Sequence, residues 1–82
     1  MSPEMKEFVI LLAKCGISEK PILAITTVIT EEAAMRVMCR RIALAYEEGK
    51  EITDSLALQI LVDMMKEAGE QEKKLSQKIE TI

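Results

Sequence analysis

The sequence predicts an all-α fold: a small four-helix, bundle-like domain with an optional C-terminal helical extension. Three observations carry this expectation. Apolar residues recur at helical spacing in successive stretches of the chain. Gly16 and Gly49 are isolated and close two of those stretches, where a left-handed residue ends a helix. No second strand is visible to pair with the one ambiguous β-branched segment.

The first helix is expected over about 3–15. Ser2 can cap it, Pro3 suits its first position, and Glu4 favours the positive end of its dipole. Met5, Phe8, Val9 and Leu12 form its apolar stripe, and Ile10, Leu11 and Ala13 widen that stripe almost all the way round. A helix so apolar needs cover from neighbours or from another subunit. Ser18 restarts the chain, and a short buried helix is expected over 19–29. Ile22 to Ile29 is rich in β-branched residues and could also be read as a strand. Thr30 followed by Glu31 and Glu32 marks the start of a third helix, over 31–48, with Met35, Met38, Ile42, Ala45 and Tyr46 on its stripe. Glu32 and Arg36 can pair along its solvated side.

Thr53 or Asp54 caps a fourth helix over about 55–68. Leu58, Leu61, Met65 and Ala68 fit a heptad seam, which continues through Glu72, Leu75, Ile79 and Ile82. Gly69 costs about 1 kcal/mol inside a helix, and Glu72 is a poor seam residue. The chain therefore divides into a helical bundle domain over 1–69 and a charged tail or helix extension over 70–82. The tail is expected to need a partner surface before it orders.

Composition narrows function. The chain has 82 residues, enough for one domain and too few for a cleft between two lobes. The formal charge of −3 supplies no basic field for nucleic acid or an anionic membrane. No apolar run approaches the length of a bilayer span, and no signal peptide is evident, so a cytoplasmic location is the default. Histidine is absent, which removes the commonest general base and a common zinc ligand. Cys15 and Cys39 read as small buried hydrophobes, not as a disulfide or a metal pair. Glu47, Glu48, Glu51 and Asp54 gather at a helix junction without calcium-loop spacing. No catalytic, cofactor or metal site is expected.

What stands out is apolar surplus. The leading expectation is a non-enzymatic, self-associating interaction module, most simply a homodimer, which could also take another protein partner. Its surface is expected to include Phe8, Leu11, Leu12, Met35, Met38, Leu75 and Ile79. The methionines at 35, 38, 64 and 65 can line an adaptable groove or fill the core. The alternative is a small DNA-binding regulator of helix-turn-helix or ribbon-helix-helix type. Leu23-Ala24 and Ile29-Thr30 give Lys20–Met38 part of a helix-turn-helix pattern, with Arg36, Arg40 and Arg41 as the DNA contacts. Against it, Val28 occupies the turn position usually held by glycine, and Glu31 and Glu32 would face phosphates.

Overall fold

A computed structural model describes residues 2–80. It consists of α1 (Pro3–Lys14), α2 (Glu19–Val28), α3 (Glu32–Glu47) and α4 (Asp54–Glu80), and the described residues contain no strand. The all-α expectation holds. Ile22 to Val28 is helical, and the threonines show how: Thr26 Oγ1 donates to the Ile22 carbonyl at 3.0 Å and Thr27 Oγ1 to that of Leu23 at 2.7 Å. Each hydroxyl is satisfied within the helix, so β-branching does not force a strand.

The ends follow local chemistry. Ser2 Oγ accepts from the Met5 amide at 3.2 Å and caps α1. Gly16, at φ 85°, and Gly49, at φ 80°, close α1 and α3. In each case two amides after the helix reach back to its last turn. The Gly16 amide donates to Ala13 at 3.0 Å and that of Ile17 to Leu12 at 3.2 Å; those of Gly49 and Lys50 donate to Tyr46 and Ala45, both at 3.0 Å. This is the Schellman ending, in which only glycine meets no Cβ penalty. Thr53 Oγ1 accepts from the Leu56 amide at 3.1 Å and caps α4, which begins at Asp54. Thr30 does not cap α3. That position falls to Glu31, whose side chain makes no capping bond.

Each helix packs on two others: α1 on α2 and α3, α4 on α2 and α3. One core runs through the centre, built from Phe8, Leu12, Ile17, Ile25, Ile29, Met35, Met38, Ile42, Ala57, Ile60 and Leu61. Leu12, Ile25 and Met38 are fully buried, and among the described residues no polar side chain is buried. Tyr46, expected on the α3 stripe, is 74% exposed. It stands more than a turn beyond Ile42 and a step round from Ala45, past the reach of the neighbouring helices.

Asp54 acts as a clip and not as a cap. Its Oδ1 accepts the Ser18 amide at 2.8 Å, across 36 residues of sequence. The start of α2 is thereby held to the start of α4. The Ser18 amide, and then its hydroxyl, hold the Asp54 carboxyl below its ordinary value. A depressed carboxyl contributes stability above the unfolded value, about 3.9 for Asp, and loses it as the pH falls through the folded value. Asp54→Asn is expected to melt below wild type near neutral pH. The two curves should converge well below the ordinary carboxylate range, and melting curves at both pH values check this.

Of the two readings of the residues after Gly69, α4 follows the helix extension as far as Glu80. It does not stop before Gly69 but continues without a break to Glu80. At 1.5 Å per residue it is about 40 Å long. Because α2 starts beside α4 and has only 10 residues, the far half of α4 projects beyond the bundle, and every described residue from Met65 onward is exposed. Gly69 is an ordinary helical position where an added Cβ would meet nothing within 4 Å. Gly69→Ala is expected to strengthen the projecting half by about 0.4–1 kcal/mol. A larger far-ultraviolet helical signal, with the same solution mass, would register it.

Candidate functional site

Two uncovered apolar features stand out, on different elements. The first is an open groove between α1 and α3, of about 520 Å³. Phe8 and Leu11 from α1, with Met35 and Cys39 from α3, form its floor. Glu4 and Glu7 stand along the α1 rim, and Arg36 and Arg40 along the α3 rim with Glu32. The helical repeat explains the lining. Glu4, Phe8 and Leu11 follow i, i+4, i+7 spacing, as do Glu32, Arg36 and Cys39. Glu32 and Arg36 pair at 3.4 Å, both well exposed. Such a pair contributes about 0–1 kcal/mol, so its charges are available to another partner.

The second feature is the projecting half of α4. The bundle buries Ala57, Ile60 and Leu61 of α4, with Met64 packed alongside. At 3.6 residues per turn the same face carries on through Ala68, Leu75 and Ile79. Beyond the bundle none of the described residues covers it: Leu75 is 60% exposed and Ile79 70%. Ile82, the last residue of the expected seam, lies outside the described residues. The heptad register is corrected here. Leu58 and Met65, expected on the seam, are 36% and 51% exposed, because the buried face follows 57, 60, 61 and 64 and the helical repeat sets both residues round from Leu61 on its outward side.

The expected interaction residues therefore divide into three groups. Phe8, Leu11 and Met35 meet in the groove, with Phe8 and Met35 as its floor. Leu75 and Ile79 stand on the projecting helix. Leu12 and Met38 have no exposed surface and belong to the core: each sits on the inward side of its helix. Cys39 and the acidic rim of Glu4 and Glu7 are members that composition did not single out. The i, i+4, i+7 pattern on α1 is the signal that would have found the rim.

The expected DNA contacts do not share a face. Arg36 and Arg40 line the groove, whereas Arg41 forks onto Glu67 of α4, with Nη1 at 3.2 Å from Oε1. Nor do α2 and α3 pack on one another among the described residues, as the two helices of a helix-turn-helix must. The helical Ile22–Val28 segment supplies no ribbon. The junction carboxylates are likewise dispersed. Glu48 pairs with Lys50 at 3.2 Å and Asp54 serves Ser18. No group of three or more potential ligands able to hold a metal ion exists among the described residues. Both cysteines are free and half-buried, and burial, followed by the charge of Cys15, pushes the Cys39 thiol up. A thiol so shifted stays protonated and is a poor nucleophile. No helix among the described residues is long and apolar enough to cross a membrane. Compared with models of protein families, with curated proteins and with solved structures, the chain matches none.

Proposed function

We propose that the protein is a helical interaction module that self-associates. One observation supports this reading above the others: the core-facing stripe of α4 continues past the bundle and presents Leu75 and Ile79 to water. An isolated helical segment of this length is marginal in water. Covering Leu75 and Ile79 would return about 1.5–3 kcal/mol for each side chain fully buried, enough to favour an ordered, partnered state. The groove between α1 and α3 adds a second uncovered apolar surface, and joining such patches between copies is the common remedy in soluble proteins.

The reading is non-enzymatic. Its support is the missing histidine, the dispersed carboxylates and the protonated thiol, none of which assembles an acid, a base and a nucleophile around one point. Light scattering on the full chain tests the reading: the mass is expected to reach two or more chains at micromolar concentration, and a clean monomer at high concentration would refute it.

A further inference from the structure

We propose that the projecting half of α4 from one copy lies in the α1–α3 groove of a second copy. This rests on the self-association reading above and names the two surfaces that meet.

The argument starts from shape. Leu75 and Ile79 stand one turn apart on a helix that leaves its own bundle, exposed at 60% and 70%. The groove is an elongated hollow between two helices, of about 520 Å³ and floored by Phe8, Leu11, Met35 and Cys39. A ridge of aliphatic side chains at i, i+4 spacing is what a groove between helices accepts.

Charge then selects the occupant. The 3.6-residue repeat places Lys74 and Lys78 on one flank of the Leu75–Ile79 ridge and Glu72 and Glu80 on the other, with Lys73 further round toward the outer side. The groove has the complementary pattern, with Glu4 and Glu7 on the α1 rim and with Arg36 and Arg40 outnumbering Glu32 on the α3 rim. The lysine flank meets the acids and the glutamate flank meets the arginines. Reversing the docked helix would set like charge against like on both sides, so the pattern fixes its direction as well as its seat.

Glu72 separates this arrangement from its nearest rival. If two projecting helices paired with each other in parallel, Glu72 would face its own copy on the apolar seam, where like charges repel. In the groove it faces Arg36 and Arg40. A residue that is a fault in one assembly is thus a recognition element in the other. Arg36 can turn from Glu32 toward it at little cost, since that pair is exposed.

The test uses two full-length variants. The groove variant carries Leu11→Asp and Arg40→Glu, both at exposed positions. The helix variant carries Leu75→Asp and Ile79→Asp. Each alone is expected to keep a folded bundle with a melting temperature near wild type and to lose self-association by about 30-fold or more, the effect of removing a hot-spot anchor. Mixed in equal amounts, they are expected to form a complex, because one supplies an intact helix and the other an intact groove. Arg40→Glu alone, at an exposed position, should weaken association, and Glu72→Arg should restore it in the double variant. A groove variant that associates like wild type, or a mixture that stays monomeric, would overturn the proposal while leaving self-association standing. A monomeric wild type would instead remove the reading on which the proposal rests.

Discussion

Leu12→Ala is expected to lower the unfolding free energy by about 2–5 kcal/mol. For a chain of this length the whole stability is on the order of 4–12 kcal/mol, so the variant should be partly unfolded at ambient temperature. The size of the effect follows from position. Leu12 has no exposed surface and belongs to the single core that all four helices share. Its carbonyl also accepts the Ile17 amide at 3.2 Å in the glycine ending of α1, and the buried Ile17 follows in that turn. Removing the side chain leaves a cavity at a point where α1 meets its turn, and the fixed turn limits collapse around it. Denaturant titration followed by circular dichroism measures the loss. A change below about 1 kcal/mol would mean that the core is packed otherwise than described.

Leu75→Asp with Ile79→Asp is expected to do the opposite: leave the fold and remove the assembly. Both side chains are exposed within the chain, so the stability of the monomer should move by no more than about 0.5 kcal/mol for each. In the assembly the two carboxylates would be buried without a designed partner, a cost of several kcal/mol. Sedimentation should show a single chain at concentrations where the wild type associates. Cutting the chain after Gly69 should likewise give a single chain and leave the bundle melting near its usual temperature. A bundle that collapses on truncation would show that the projecting helix supports the core.

Much of the fold was legible because its signals are local. Ser2, Gly16, Gly49 and Thr53 each act within a few residues of themselves, and each marks a helix end where local chemistry predicts one. The stripes of α1 and α3 were legible in the same way, since Phe8, Leu12, Met35, Met38, Ile42 and Ala45 follow one helical period and are buried. What was not legible depends on partners distant in sequence. Asp54 looks like a capping residue, and only folding brings Ser18 to its carboxylate. Leu58 and Met65 fit a heptad as well as Leu61 does, and only the position of α2 and α3 decides which face of α4 is inside. Gly69 resembles a stop because its helix penalty is real, yet about 1 kcal/mol is small against propagation from a helix already anchored by Ala57, Ile60 and Leu61. The groove was half visible: its apolar floor could be named from composition, but its charged rims exist only once α1 and α3 lie side by side.

The order in which the helices pack also bears on how fast the chain finds its structure. The α1–α2 and α3–α4 contacts join helices adjacent in sequence across short turns, and only the α1–α3 and α2–α4 contacts bridge the two halves. Each half can therefore form as a helical hairpin before the other is committed, with little loop entropy lost at either step. Docking then needs one long-range event, in which Ile25 and Leu12 of the first half meet Met38 and Leu61 of the second and the Ser18–Asp54 clip closes. Folding dominated by neighbours in sequence proceeds on a scale of roughly microseconds to milliseconds. Productive docking at about 10⁵–10⁷ M⁻¹s⁻¹ takes roughly 0.1–10 s at micromolar concentration, so the bundle is complete before two copies associate. Assembly joins finished bundles, and the exposed ridge of α4 is presented from a scaffold already in place.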